Sequence, residues 1–290
     1  SARLKQPSSA KPAPAGAPVE PPQARAWLAG VLLVLTGAAT FIAEVGWTRV
    51  FAMLVGPSTY AFAATVAVFI AGLAVGAAAG AVLAARTRRP ILAVALLMGL
   101  AALAAAWSGA AAGTSLPRSV ALDFASAPDI SIVGHAISVA LIVLPMALAI
   151  GATFPLCLLI AGGASTAPGV VGAVYAVNTL AAVVASLVAG FVLVPTFGLE
   201  RTLACVPWLL AAGAAVAALA EQRQVWMRAV AVLPAVAGLA LVVTAAPWDR
   251  ALLASGAYKY ASAVTPGLDL DTALTAGSLL YYRDGATATV

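Results

Sequence analysis

Between Trp27 and Ala246 the chain is almost continuously apolar, and nearly all its charge lies in short polar joints or in the two tails. Hydrophobic residues make up 63% of the sequence and charged residues only 9%. A soluble domain needs a charged surface, whereas charged side chains are costly inside a bilayer. The pattern therefore predicts an all-α polytopic membrane protein whose main partner is the lipid bilayer.

Seven apolar stretches are long enough to cross a bilayer, given that one crossing takes about 20 residues. They lie near residues 27–43, 58–85, 90–111, 132–161, 169–196, 202–220 and 226–246. All six tryptophans fall at or near the ends of these stretches, where indole rings prefer to sit. We expect three parts: a disordered, weakly basic tail over residues 1–26, a transmembrane bundle over 27–246 and a polar tail over 247–290.

Small residues and prolines mark the second and fourth stretches. Gly72, Gly76 and Gly80 recur every four residues, which predicts close approach by another helix. A pore lining is the alternative interpretation of this stripe. Pro145 and Pro155 each remove a backbone donor, so we expect them to break or bend the fourth helix.

The basic residues concentrate beside helix ends, chiefly in the N-terminal tail, at Arg86–Arg89 and at Arg223 and Arg228. The positive-inside rule then predicts a cytoplasmic N-terminus in a bacterial inner membrane. With seven spans, the C-terminal tail would lie on the opposite side. The net charge of +5 sits at helix ends rather than on a basic face with interleaved aromatics, so we expect no nucleic-acid partner.

Four polar residues within or beside the apolar stretches form a possible polar membrane site. Glu44 and Arg49 border the first stretch, and we interpret them as an interfacial pair that ends the first helix. The alternative is a polar site facing a cavity. Tyr175 and Asn178, with the neighbouring Thr179, lie inside the fifth stretch, where interhelical hydrogen bonding and substrate contact are both open.

Recognisable catalytic chemistry is missing from the sequence pattern. No Ser–His–Asp set, Cys–His pair or paired carboxylates can be assembled, and no glycine-rich strand-turn-helix fingerprint for a nucleotide is present. Cys157 and Cys205 lack metal-ligand spacing, and His135 is the single histidine. We therefore predict no catalytic, cofactor-binding or metal site in this chain.

The polar tail has a different pattern from the bundle. WDRALLASGAYKYA predicts a short surface segment, and LLYYRDGATATV predicts a β-hairpin that turns at Asp284–Gly285. A lone hairpin is barely stable in water, so it needs a partner sheet. We expect it to open a further domain that the chain does not contain.

Several of these stretches together resemble the membrane-bound spermidine-synthase-like proteins, in which a multi-helix domain precedes an aminopropyltransferase-like domain. The matching stretches are AEVGWTRVFAMLVGPSTYAFA, GLAVGAAAGAVLAARTRR, LPMALAIGATFPL, GAVYAVNTLAAVVASLVAGFVLVPTFGLERTL, WDRALLASGAYKYA and YYRDGATATV. They cover most of the chain from about residue 40 onward, and GATFPL and YAVNTL are the most specific blocks.

The resemblance implies a helical bundle that leads into a Rossmann-like domain using decarboxylated S-adenosylmethionine and a polyamine. The family's catalytic aspartates and glycine-rich cofactor loop would lie beyond Val290. This chain alone is therefore expected to be catalytically incompetent. The expected partner is the distal synthase-like domain, or a separate chain that completes the hairpin.

Two other functions stay open at this point. One is an accessory subunit that packs into a larger membrane complex through its small-residue surfaces. The other is a transporter of a small cation such as a polyamine, for which Glu44 is the available acidic residue. The predicted topology also conflicts with synthase chemistry, because S-adenosyl compounds are cytoplasmic and the tail is expected outside.

Overall fold

The computed structural model describes residues 25–126, 137, 141–162, 168–221, 225–261, 269, 272, 274, 277–285 and 289. Nearly all of the expected disordered tail, together with His135, lies outside these residues. The bundle helices are α1 (Ala26–Leu54), α2 (Thr59–Arg86), α3 (Pro90–Ala112), α5 (Leu144–Gly162), α6 (Pro168–Val188), α7 (Val194–Ala220) and α8 (Val225–Thr244). Three shorter helices flank them: α4 (Ser115–Ser126), α9 (Arg250–Leu253) and α10 (Ala257–Tyr260).

Six helices in the described residues are long and apolar enough to cross a membrane, which confirms the expected polytopic helical fold. The fifth of them, Pro168–Ala220, is 53 residues long and joins α6 to α7 through a π-helical segment, Ala189–Leu193. The sequence predicted two separate spans here, ending and beginning at 196 and 202. The structure has one helical segment that is interrupted at Gly198, between these two predicted spans.

Helix α7 runs antiparallel to α1. Leu203, near the start of α7, packs on Gly46 in the second half of α1. At the other end of α7, the Ala220 carbonyl accepts a hydrogen bond from the Arg25 guanidinium at 2.5 Å. Moving forward along α7 therefore means moving backward along α1.

Helix α6 lies beside the same part of α1, so the chain must fold back after α6, within the first turns of the Val194–Ala220 segment. Asn178 of α6 packs on Gly37, which lies between the two α1 positions that α7 contacts. The break is at Gly198, whose φ of 81° and ψ of 169° fall in a region that only glycine adopts readily. The 53-residue segment therefore supplies two antiparallel legs, and the described bundle has seven legs in all.

The bundle has two ends, which we call end A and end B. End A contains Arg25, the joint between α2 and α3, and the start of α8, where Arg89 contacts Met227. End B contains the loop after α1, the break at Gly198 and the polar tail. Because the legs alternate, the described tail and the start of α1 lie at opposite ends of the bundle.

The glycine stripe on α2 packs directly against α5. Gly76 and Gly80 lie against the backbone carbonyls of Leu148 and Ala152, so a Cβ at either glycine would collide with backbone. Gly151 of α5 approaches the α2 backbone in the same way. The predicted close helix approach is confirmed, and α5 covers the stripe, so the stripe lines no pore.

The fourth apolar stretch begins later than expected. Its helix, α5, starts at Leu144 rather than near residue 132, and of residues 132–143 only 137 and 141–143 are described. Pro145 lies in the first turn, where a helix needs no backbone donor, so it begins the helix instead of bending it. Pro155 lies inside α5 and removes one internal hydrogen bond.

Two tryptophans depart from the expected interfacial belt. Trp47 is fully buried in the bundle, with its ring edge-on to Phe51 at 5.9 Å between centroids. Trp208 lies in the middle of the Leu199–Ala220 leg with half its surface exposed. Packing on neighbouring helices, rather than headgroup depth, determines the position of Trp47.

Helix α4 was not predicted and covers part of end B. Leu116, Val120 and Ala121 are buried, and α4 packs on α3 and α10. Polar Arg118 and Asp123 alternate with these apolar positions, which is the pattern of an amphipathic surface helix. This alternation of polar and apolar residues could have predicted α4 from the sequence. It is short and lies next to long apolar stretches, which are the stronger signal.

The expected β-hairpin does not form in the described residues. The tail contains α9 and α10, and its one β-type pairing is an isolated antiparallel bridge between Asp284 and Thr289. Residues 286–288 lie outside the described residues. Asp284 and Gly285 direct their polar groups at helices of end B instead of at a partner strand. The hairpin prediction therefore has no support in the structure.

Cysteine labelling in intact cells tests the alternation of the legs. With Cys157 and Cys205 removed, Arg88→Cys at end A and Ser278→Cys at end B should respond oppositely to a membrane-impermeant maleimide. The positive-inside rule predicts labelling of Ser278→Cys and protection of Arg88→Cys until the cells are permeabilised. Labelling of both sites, or of neither, would refute an odd number of crossings.

Adding a methyl group at Gly76 should destabilise the bundle. Gly76→Ala forces Cβ against the Leu148 backbone, and such overpacking costs about 1–3 kcal/mol. Thermal unfolding in detergent should show a lower midpoint. Gly172→Ala on α6 is the matched control, because a Cβ added there would have no neighbouring atom within 4 Å. An equal midpoint for the two variants would contradict the close packing of α2 on α5.

Candidate functional site

Trp248 begins the contact between the tail and end B. Its indole N–H donates to the Gly109 carbonyl of α3 at 3.0 Å, and its backbone N–H donates to the Glu200 carboxylate of α7 at 3.3 Å. The ring also lies against Gly113, where a Cβ would not fit. One residue thus connects two legs of the bundle to the tail.

The segment after Trp248 is docked rather than simply lying on the surface. The Asp249 backbone N–H donates to the Gly113 carbonyl at 3.0 Å, and its carboxylate caps α9 by accepting from the Leu252 N–H at 3.0 Å. Leu252 and Leu253 are buried. The cap and the buried pair hold this part of the tail against α3 and α4.

Asp284 binds the break between the two long legs. Its side chain is only 9% exposed, and one carboxylate oxygen accepts from the Leu199 backbone N–H at 2.9 Å. The other oxygen accepts from the Thr289 hydroxyl at 2.8 Å. Because Gly198 interrupts the helix, Leu199 begins a new helical run whose first N–H groups need acceptors. A carboxylate there also complements the positive end of the helix dipole.

Arg49 bonds the residue after Asp284. Its Nη1 donates to the Gly285 carbonyl at 2.6 Å. The expectation that Glu44 and Arg49 end the first helix is wrong, since α1 continues to Leu54 and both residues lie within it. Glu44 is half-buried one turn and a half before Arg49, and its backbone carbonyl accepts from the Thr48 hydroxyl.

Tyr282 completes the docked tail. The Arg250 guanidinium lies over its ring at 5.5 Å, and its hydroxyl is 3.9 Å from the Met53 sulfur of α1. Burial raises the pKa of Tyr282 above its ordinary value, and the nearby Asp284 carboxylate raises it further. The phenol therefore stays neutral at physiological pH and keeps its proton.

A second candidate site is a cavity of about 290 Å³ inside the membrane span. Helices α1, α2, α5 and α6 enclose it, and Tyr175 and Asn178 are among its lining residues. Three threonines complete the polar part of the lining: Thr36 and Thr40 of α1 and Thr153 of α5. The described lining contains no acidic side chain and no lysine, arginine or histidine.

The three threonines bond to their own helices. Thr36 donates to the Leu32 carbonyl at 3.0 Å, and Thr40 donates to the Thr36 carbonyl at 2.7 Å. Thr153 donates to the Ile150 carbonyl at 2.6 Å. Their hydroxyl protons are used in these bonds, so their oxygens remain as acceptors.

Asn178 and Tyr175 supply the other polar groups. Asn178 is half-buried against Gly37, and its carboxamide forms no hydrogen bond within the part of the chain that the structure describes. Tyr175 stacks edge-on against Phe154 at 4.8 Å and is 52% exposed. Thr179, grouped with them in the sequence, is exposed and does not line the cavity.

The four residues predicted as one polar membrane site therefore separate. Tyr175 and Asn178 line the cavity, whereas Arg49 binds the tail and Glu44 belongs to neither group. Sequence reasoning missed the cavity threonines, although Thr36 and Thr40 are one helical turn apart in an apolar span. It also missed the docking role of Trp248, Glu200 and Asp284, for which no local signal exists.

Comparison with known proteins adds no relative. No family model matches the chain, and neither a curated protein nor a solved structure matches it. Within the described residues, no group of three or more histidine, cysteine or acidic side chains is arranged to hold a metal ion.

Removing the Asp284 carboxylate should loosen the tail. Asp284→Ala leaves the Leu199 N–H without its acceptor, and loss of such a cap costs about 0.5–2 kcal/mol. Limited trypsin digestion should cleave after Lys259 several-fold faster than in the wild type. Asp269→Ala is the control, because that carboxylate is exposed and the hydrogen bonds that it accepts within the described residues come from Thr272, three residues away. Equal cleavage rates for all three proteins would show that Asp284 does not hold the tail.

A side chain at Gly198 should strain the reversal between α6 and α7. Gly198→Ala puts a Cβ on backbone with a φ of 81°, which costs about 1–3 kcal/mol. The thermal midpoint in detergent should fall. Gly190→Ala, eight residues earlier, is the control because its φ is not positive and its surroundings are open. If Gly198→Ala is as stable as Gly190→Ala, the reversal does not depend on glycine.

Proposed function

We propose that this chain is the membrane-embedded part of a spermidine-synthase-like protein, and that it holds an aminopropyltransferase-like domain or partner chain at end B. The stretches that carry the resemblance support this, because they contact one another although they are far apart in sequence. Arg49 of AEVGWTRV bonds Gly285 of YYRDG, and Asp284 of the same block bonds Leu199 of FGLERTL. Trp248 of WDRALL bonds Glu200 of FGLERTL.

This convergence is the observation that carries the proposal. A docked tail gives whatever it joins a fixed position on the bundle, which a free linker would not. The docking contacts include a buried carboxylate and a charged donor on a backbone carbonyl, both of which are stronger than neutral hydrogen bonds. End B therefore has the properties of a mounting surface, which here means a surface that holds a further domain or chain in a fixed position on the bundle.

In this proposal the chain positions the distal domain and does not itself catalyse a reaction. Decarboxylated S-adenosylmethionine and a polyamine acceptor would bind the distal domain, and not the bundle, only if end B faces the cytoplasm. The bundle would restrict that domain to the surface of the membrane.

We place the chain in a bacterial inner membrane with end A in the cytoplasm. The described charged residues at end A are five arginines and one glutamate: Arg25, Arg86, Arg88, Arg89, Arg228 and Glu221. End B has nearly balanced charges. The positive-inside rule then puts the tail on the extracytoplasmic side, where the S-adenosyl donor is not made. If the tail is labelled from outside the cell, end B can still hold a distal domain. Aminopropyl transfer from the S-adenosyl donor would then be excluded.

Small-cation transport gains no support from the cavity. Glu44 is its one acidic candidate, and Glu44 does not line the 290 Å³ cavity between the helices. A cation would therefore meet only neutral oxygens there. The accessory-subunit alternative has no specific contact in its favour, but the experiment below separates it from the leading proposal.

Purification of the natural protein from its own membranes tests the mounting role. With an N-terminal affinity tag, we expect either a polypeptide longer than these 290 residues that contains a synthase-like domain, or a stoichiometric synthase-like chain. Arg49→Met combined with Asp284→Ala should release a separate chain, whereas Asp269→Ala should retain it.

Two outcomes would refute the proposal. One is a natural product that ends at Val290 and is isolated alone. The other is stoichiometric association only with membrane subunits that lack a synthase-like domain, which would favour the accessory role. Where a distal domain is found, transfer of an aminopropyl group to putrescine should be assayed in inverted and right-side-out vesicles.

A further inference from the structure

We propose that the 290 Å³ cavity binds an uncharged, lipid-soluble alcohol that enters sideways from the bilayer between α2 and α6. The inference is independent of the proposed mounting role, since the cavity lies within the span and the docked tail lies at end B. It rests on the opening, the chemistry of the lining and the polar groups that lack partners.

The cavity opens toward lipid. Helices α2 and α6 both contribute to its lining, but they do not pack extensively on each other along their described residues. Two lining residues, Phe41 of α1 and Tyr175 of α6, are 36% and 52% exposed. Surface exposed within a membrane span faces acyl chains, so a molecule dissolved in the bilayer can reach the cavity without crossing water.

The lining selects against charge. Its apolar part includes Leu33, Leu73, Ala77, Ile150 and Phe154, and its one titratable group is the Tyr175 phenol. An ionised ligand would lose its hydration with no opposite charge to replace it. Glu44 is about one turn along α1 from Phe41 and outside the lining. The ligand that suits these surroundings is neutral at physiological pH.

The unpartnered polar groups define the head of the ligand. The Asn178 carboxamide offers donors and an acceptor that nothing in the described residues uses. Pro155 has no N–H, so the carbonyl of Gly151, a lining residue, lacks its usual helical donor. With the threonine oxygens, the cavity therefore presents more acceptors than donors. A hydroxyl suits it, because the O–H can donate to a carbonyl while its oxygen accepts from Asn178.

The volume sets how much of the ligand is enclosed. A cavity of about 290 Å³ is at the lower limit of small-molecule sites. It holds a head group and the first part of a chain, and the open side between α2 and α6 leaves the rest in the bilayer. A long-chain alcohol has this shape.

Photolabelling of the full chain in lipid nanodiscs tests the site. The probe is a C16 primary alcohol with an aliphatic diazirine near its hydroxyl end. We expect crosslinks in peptides that contain residues 33–41, 150–154 and 175–178, and we expect excess hexadecanol to compete. Asn178→Leu should reduce this labelling at least five-fold, whereas Thr179→Val, which changes an exposed neighbour, should leave it unchanged.

Ala77→Leu is a second variant that keeps the test decisive if Asn178→Leu fails to fold. It fills the cavity from α2 without altering a polar group, and it should also reduce labelling. Labelling that is insensitive to both folded variants, or spread evenly over the exposed faces of α6 and α8, would overturn the site. Thermal unfolding in detergent verifies that each variant is folded.

A charge series tests the neutrality of the ligand. The same chain and diazirine are used with a primary amine or a carboxylic acid in place of the hydroxyl. We expect the alcohol to label most strongly at pH 7. Stronger labelling by the amine that disappears in Glu44→Gln would overturn the uncharged assignment and favour a cation site.

Discussion

A break in a long helix leaves backbone polar groups without their helical partners, and this constraint governs how the long α6–α7 segment turns at end B. At Gly198 the helix is interrupted, and two of the backbone groups at the break have side-chain partners. The Gly198 carbonyl accepts from the Thr202 hydroxyl at 2.7 Å, and the Leu199 N–H donates to Asp284 at 2.9 Å. A residue of the tail thus completes a turn that the bundle cannot complete by itself, which makes the tail part of the membrane fold.

The extent of the bundle was predictable because lipid imposes a simple rule of length and apolarity. The glycine stripe was predictable too, since Gly76 and Gly80 repeat at helical spacing. The position of the Gly198 reversal was predictable as well, since it lies between the predicted spans 169–196 and 202–220, but its closing contact with the tail was not. The hairpin prediction has no support among the described residues: local turn propensity at Asp284 favours a hairpin, while its carboxylate binds a residue 85 positions away.

The candidate sites also divide into features that the local sequence predicts and contacts between distant residues that it does not. Tyr175 and Asn178 could be identified as unusual polar residues in an apolar span, and both line a cavity. Their partners on other helices could not be identified, because sequence gives no register between α1 and α6. Glu44 and Arg49 were paired by proximity in sequence, whereas the structure connects Arg49 to Gly285, 236 positions later. Nearness along the chain is a poor guide to pairing between legs.

Arg25 has a consequence for how the protein is made. Its backbone N–H bonds the Ile160 carbonyl, and its guanidinium bonds the Ala220 carbonyl, 195 residues downstream. Helix α1 leaves the ribosome before α6 and α7, two of its main partners, which are synthesised more than 100 residues later. During insertion the face of α1 that later packs on α6 and α7 is therefore exposed to lipid. Helices α6 and α7 cover this surface of α1 only late in synthesis, so truncated or stalled chains expose it to other membrane proteins and to quality-control proteases.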